Sequence, residues 1–282
     1  MKNRTITIYN KLGALLILLG FLNSCTDVID VNVPNAGARL VVDASIKWQK
    51  GTSGETQTIH LRESTAYFDK NPDVPVTGAE VTVTKQNDGS IVVFADQNNG
   101  SYTATDFVPE LNASYTLEIL YNGNSYTATE TLIAAPDINR IVQTVEGSDD
   151  DKEIQLQVFF DDLGAVENYY LGEFIPSNLP IPSLAVISDE FTDGNENFIE
   201  NDNENYVAGA TVAINLYGVS QRYYDYLSIF IQQSGSDENG PFPTTPVQLK
   251  GNCTNVNDPN EEVLGFFRLG QFDTTSYTIE QQ

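Results

Sequence analysis

The sequence predicts an all-β protein: an Ig-like β-sandwich over residues 39–135, then a second β-rich domain over 136–282 with one or two helices. Three observations predict it. Short segments rich in β-branched and aromatic residues recur between residues 39 and 132, and several alternate apolar with polar residues strictly. Asp88-Gly89, Asn99-Gly100 and Asn122-Gly123 separate them with the residues that tight hairpins need for positive φ. Helical periodicity with signals at both ends is found in Ser220–Gln233.

Taken in order, Arg39–Lys47, Gln57–Ser64, Ala79–Gln86, Ser90–Gln97, Ser101–Phe107, Ser114–Tyr121 and Ser125–Leu132 read as the strands of the sandwich. In Ser114–Tyr121 the side chains of Tyr115, Leu117, Ile119 and Tyr121 share one face. The Cys…Trp…Cys pattern of antibody domains is missing, so the expectation is architectural. Ala134-Ala135-Pro136-Asp137 marks the expected boundary. Beyond it Asn139–Val145, Lys152–Asp161, Tyr169–Ile175 and Ala208–Tyr217 are candidate strands. Residues 176–182 read as a Pro-punctuated loop and 189–205 as an Asn/Glu-rich one. Ser220 is placed to cap the helix and Gly235 to end it, with Tyr223, Tyr226, Leu227, Phe230 and Ile231 as its core-facing stripe.

The segment ahead of the sandwich speaks of location. Lys2, Arg4 and Lys11 precede an apolar run, Leu12–Leu22, that is too short to cross a bilayer. Leu22-Asn23-Ser24 then sets a small residue before Cys25, as a secretory signal ending in a cleavage site would. This pattern resembles the lipobox of bacterial lipoproteins. It implies cleavage of residues 1–24, acylation of Cys25 and an acidic tether over 25–38. The alternative is an unlipidated secreted protein with a Cys25–Cys253 disulfide, since these are the two cysteines of the chain. With Cys25 acylated, Cys253 is expected to be a small buried hydrophobe.

Charge excludes some partners. The net charge is −25, and losing residues 1–24 removes cations alone. Such a surface repels phosphate backbones and anionic headgroups, so nucleic acid is not expected as a partner.

Read from end to end, the lipobox is followed by RLVVDASI, PVTGAEVTVT, NNGSYTATDF, SYTLEILYNGNSYTA, SDEFTDG, YYDYLSIFIQQ and EEVLGFFRLG. In that order the layout resembles the family of Bacteroidota lipoproteins catalogued as domain of unknown function 4249, across essentially all of the chain after the signal. The resemblance implies an outer-membrane lipoprotein of a kind often encoded beside TonB-dependent transporters. It assigns no catalytic residues. Asp27 and Asp30, just after the anchor, are similar to a surface-export signal, and Asp273-Thr274-Thr275 resembles an O-glycosylation triplet.

The residues themselves offer little chemistry. His60 is the sole histidine and shares a strand face with Thr58 and Arg62, away from Ile59 and Leu61, so a solvent-facing position is expected. No G-x-S-x-G elbow, P-loop or dinucleotide glycine pattern occurs. The candidate metal site is a calcium loop over 193–204. There Asp193, Asn195, Asn197, the Ile199 carbonyl, Asn201 and Glu204 follow EF-hand ligand spacing, although Phe198 stands where that loop has glycine. No other cofactor is expected. The expectation is therefore a non-enzymatic lipoprotein, anchored to the outer membrane through acylated Cys25 and facing the cell surface. It would serve as accessory subunit of a TonB-dependent transporter barrel, in substrate capture or gating. The alternative is a free-standing surface lipoprotein with an adhesive or structural binding role.

Overall fold

The computed structural model describes residues 37–66, 69, 73–146, 153–164, 166–234 and 247–281. The signal segment 1–24, Cys25 and the tether as far as residue 36 lie outside the described residues. The first strands are β1 (Leu40–Gln49), β2 (Gln57–Glu63), β3 (Val74–Pro75), β4 (Glu80–Lys85), β5 (Ile91–Asp96), β6 (Ser101–Ala104), β7 (Ser114–Tyr121) and β8 (Asn124–Thr131). Then come β9 (Ile138–Glu146), β10 (Glu153–Asp161), β11 (Tyr169–Pro176), β12 (Ser183–Ser188), β13 (Glu196–Asn203) and β14 (Thr211–Val219). Helix α1 (Gln221–Ser234), β15 (Thr254–Asn255) and β16 (Leu264–Thr278) complete the described elements.

Among the described residues the protein is all-β apart from α1. Asn122 and Gly123, with φ of 49° and 79°, form the two-residue turn between β7 and β8, where Tyr121 pairs with Asn124. Two successive positive φ values match the strand twist, which is why Asn-Gly stands there. The large sheet runs β12-β11-β14-β16-β1-β2-β6-β5-β4-β7-β8-β15, with β3 added to β2. It turns a corner at β5, whose residues 91–94 pair with β4 and 95–96 with β6. The two arms face each other, and Val42, Ile59, Phe267, Leu117, Ile119 and Phe94 fill the space between them. Each such side chain contributes about 1.5–3 kcal/mol by leaving water.

A second sheet, β13-β10-β9, lies against the inner side of β11 and β14. Leu156, Val158, Phe160 and Ile199 meet Tyr170, Phe174, Ile214 and Leu216 there. Residues 37–282 form one compact unit. The chain on both sides of Pro136 shares the large sheet because β16 returns to lie parallel to β1 and antiparallel to β14. Cys253, Val263, Phe267 and Leu269 accordingly belong to the first core, beside residues of β1 to β8. Cys253 is buried as a free thiol, and burial pushes its pKa up to about 12, so it is a packing residue.

Five strands depart from the sequence expectation, and among them β3, β15 and β16 lie where the pattern gave no element. Residues 183–188, given no element by pattern, form β12, whose side chains are all half-buried because apolar neighbours lie on both faces. Residues 196–203, expected in a loop, form β13.

Candidate functional site

The outer face of the large sheet, turned away from both cores, carries the candidate site. Along it stand Asp43, Ser45 and Lys47 of β1, His60 of β2, Arg268 and Phe272 of β16, Tyr217 of β14 and Glu173 of β11. Helix α1 covers one part. Its Ser220 hydroxyl accepts from the Tyr223 amide at 3.3 Å, the N-cap that the sequence announces. Leu227 is buried against the sheet, and the Tyr223 and Tyr226 rings both lie 4.9 Å from Phe266. The rest of the face is open, and the turn after β1 borders a polar groove of about 590 Å³. Asp43, Lys47, Gln49, Thr52, His60 and Phe272 are among its lining residues.

Arg268 sits behind the groove wall, 6% exposed. Its Nε donates to Ser45 Oγ at 3.1 Å, and its guanidinium carbon lies 4.9 Å from the centre of the Tyr217 ring and 5.1 Å from that of Tyr223. Its Nη1 is buried without a hydrogen-bond partner in the protein. Ser45 in turn donates to Asp43 at 3.4 Å, and the Tyr217 hydroxyl and Asn215 amide donate to Glu173 Oε2 at 3.1 and 2.8 Å. Lys47 lies two residues from Ser45 on the same face, with Nζ 6.0 Å from the Tyr217 ring centre. Burial, then the neighbouring Arg268 charge, lowers the Lys47 pKa, while Glu173 and Asp43 pull it back up. Burial raises the pKa values of Tyr217 and Tyr223, which keeps both hydroxyls neutral.

The charges are paired unevenly. Among the described residues Arg39, Lys50, Arg62, Lys85, Arg140 and Arg222 each have a carboxylate within ion-pair distance. Lys47, Arg268 and the exposed Lys250 have none, in a chain with 39 acidic residues. Lys47 and Arg268 are neighbours on one face, and in the groove itself Lys47 stands with the carboxylates of Asp43 and Glu55.

His60 is exposed, as expected, and its Nδ1 is 3.1 Å from Ser101 Oγ. Asp43, His60 and Ser101 are register partners across β1, β2 and β6, which makes them a polar row along the sheet.

The calcium loop expected over residues 193–204 does not form. Asn197, Ile199 and Asn201 lie in β13, paired with β10, and an extended strand separates Asp193 from Glu204. Ile199 is a core residue, Asn201 accepts from the Tyr206 hydroxyl at 2.6 Å, and the Asn197 amide donates to Thr192 Oγ1 at 2.7 Å. Asn195 donates to the Asp193 carbonyl at 3.0 Å. A different acidic group is assembled instead: Asp162, Asp189 and Asp193 each bring a carboxylate oxygen within 4.8 Å of the others. Protein donors engage Asp162 and Asp189 as follows. Asp189 accepts from the Asn168 amide at 2.9 Å and from its side chain at 3.3 Å. Asp162 accepts from the Tyr170 hydroxyl and from the amides of Gly194 at 2.7 Å and Gly164 at 3.2 Å.

Burial raises the Asp162 pKa, but these hydrogen bonds together outweigh it, and the net shift is downward. A depressed folded-state pKa stabilises the protein above the unfolded value, about 3.9, and that contribution is lost as pH falls through the folded value. Asp162→Asn is expected to cost about 1–3 kcal/mol at pH 7. The deficit against wild type should shrink as pH falls below about 4, where the unfolded wild-type chain takes up its proton first. Urea midpoints of both proteins between pH 3 and 7 check this, and a deficit independent of pH would refute it.

A family model described as "Domain of unknown function (DUF4249)" matches residues 26–276. The chain belongs to that family. No curated protein matches it. Among solved structures, a DUF4785 family protein of Legionella pneumophila is similar over 64% of this chain at 10% identity and a TM-score of 0.25. This chain covers about half of that one, 52%. A two-domain fibronectin type III segment of chicken tenascin matches 58% of this DUF4249 chain at 13% identity and a TM-score of 0.20, with 83% of its own length covered. Trypsin-activated alpha-2-macroglobulin of Escherichia coli matches 67% at 14% identity and 0.24, with 15% of its length covered.

Proposed function

We propose that this DUF4249 protein is a non-enzymatic lipoprotein of the outer membrane, held by acylated Cys25 and acting as accessory subunit of a TonB-dependent transporter in substrate capture or gating. The observation that carries the reading is the cysteine placed directly after a charged, apolar and small-residue segment, ahead of a rigid β unit with a ligand-sized groove. A spanning helix is not needed for such an anchor, and among the described residues no helix is long and apolar enough to cross a membrane. The family resemblance supports the transporter partner. The exposed His60 and the satisfied carboxylates around Asp162 support a binding role over catalysis.

Purification of the tagged protein from its native outer membrane in mild detergent tests this. The expected result is a stoichiometric barrel in the preparation and acyl chains on Cys25. If the protein came away alone but acylated, the free-standing adhesive or structural role would replace the transporter role. Release of the Cys25→Ala protein from the membrane is expected, and its retention there would remove the anchor from the proposal.

A further inference from the structure

The large sheet ends at β12, and the transporter reading gives that edge no use. We propose that β12 is a self-pairing edge: two copies of the chain join antiparallel along Ser183–Ser188, about a two-fold axis through Val186, as a symmetric dimer.

The hydrogen-bond register shows which backbone groups are open. The Ser177 amide donates to the Thr211 carbonyl at 2.8 Å, so odd-numbered residues of β11 bond to β14. The Asp189 amide donates to the Asn168 carbonyl at 3.2 Å, so even-numbered residues of β11 bond to β12. Ser183, Ala185 and Ile187 therefore direct their N–H and C=O groups to β11. Leu184, Val186 and Ser188 direct theirs out of the sheet, and among the described residues no strand follows β12 there. Such a row is a template for another strand.

Composition leaves this edge unguarded. Sheet edges are commonly blunted by charge, proline or brevity. At the opposite end of the large sheet β15 has two residues. The edges of the small sheet carry charge, with Glu196, Glu200 and Asp202 on β13 and Arg140 on β9. Ser183–Ser188 has neither charge nor proline, in a chain with a net charge of −25.

A second copy is the occupant because the edge complements itself. Antiparallel pairing centred on Val186 sets Leu184 opposite Ser188 of the other copy and Val186 opposite its own counterpart, so each open N–H meets an open C=O. Asp189 falls opposite Ser183 and Glu190 opposite Pro182, so no two carboxylates oppose each other from residue 182 to 190. The same register brings Ile181 of one copy to the end of the seam where the other has Phe191. These are the two most exposed large hydrophobic residues among those described, at 74% and 90%. Their meeting at both ends of the seam takes apolar surface out of water.

Sedimentation equilibrium of the full-length acylated protein, in density-matched detergent, tests this. The mass of two chains is expected. Val186→Pro is expected to give the mass of one chain and to melt near wild type, because an edge strand tolerates proline where the N–H faces outward. Phe191→Glu, in an exposed turn, is expected to weaken the dimer by about tenfold or more and leave melting unchanged. Val186→Cys should cross-link on mild oxidation, since a hydrogen-bonded pair sets two Cα atoms about 5.5 Å apart, within disulfide reach. Ala185→Cys should not, because it stands opposite Ile187 of the other copy and is offset from its own counterpart. Should Val186→Pro fail to fold, Phe191→Glu and the two cysteine variants decide the matter. A monomeric wild type, a dimer that survives both Val186→Pro and Phe191→Glu, or equal cross-linking at 185 and 186 each overturns the proposal. A monomer that loses its barrel on Val186→Pro also overturns it and gives the edge to a strand of the transporter. Barrel co-purification is measured separately on each protein, so the transporter role and the dimer stand or fall independently.

Discussion

Gly265→Ala is expected to lower stability by at least about 3 kcal/mol, more than most surface or core substitutions in this chain. Gly265 has φ of +85°, where a side chain is strained, and it pairs with Val42 in the parallel contact of β16 with β1. A Cβ there would overlap the Val42 carbonyl oxygen and stand 2.8 Å from its carbon. The strand cannot move aside, because the chain at Gly251 packs so closely on the Gly265 carbonyl that Gly251 is itself allowed no side chain. Gly123→Ala supplies the comparison. Its φ is +79°, yet a Cβ there meets nothing within 4 Å, so φ strain alone acts and about 1 kcal/mol is expected. Denaturant midpoints of the two variants separate the clash from the strain. Equal losses would show that β16 is less tightly held than the structure implies. The effect reaches the groove, since Arg268 and Phe272 lie on the same strand a few residues on.

What the sequence disclosed follows the range of the interactions. Strands β1, β2 and β4 to β8 were legible because side-chain period and Asx-Gly turns are local facts, and helix α1 because its cap and stripe are local too. Strand β13 was hidden by composition. Asn197 and Ile199 face inward there while Glu196, Phe198 and Glu200 face out, and the polar run masks that alternation. Its EF-like spacing was a coincidence of an Asn/Glu-rich strand. Strand β12 shows no alternation because both its faces are covered.

The site was the least legible part. Lys47 and Arg268 come together only through the pairing of Ser45 with Arg268, and no local pattern announces a parallel contact between the first and last strands. One signal was present: a lone arginine inside the apolar run Leu264–Leu269 marks a charge that must be buried. The acidic group around Asp162 draws on three separate segments, so residues 193–204 could supply Asp193 alone.

Phe267→Ala, the second large effect, asks whether the core beneath the groove holds the groove in register. Phe267 is fully buried, opposite Ala44 of β1, and Ala44 offers little volume of its own, so the ring fills the space between the two sheet arms. Its removal leaves a cavity that flat strands close poorly, and a loss of about 3–5 kcal/mol is expected. Phe230→Ala should cost no more than about 0.5 kcal/mol, because Phe230, expected in the core-facing stripe of the helix, is 42% exposed. The Phe267 backbone is fastened independently: its amide donates to Asn252 Oδ1 at 2.8 Å, and its carbonyl accepts from Asn252 Nδ2 at 2.7 Å. That clamp should keep β16 paired in the variant. The prediction is therefore a large fall in urea midpoint with Trp48 emission near wild type in the folded baseline. A changed baseline would mean that the ring, and not the Asn252 clamp, sets the position of Arg268 against Ser45.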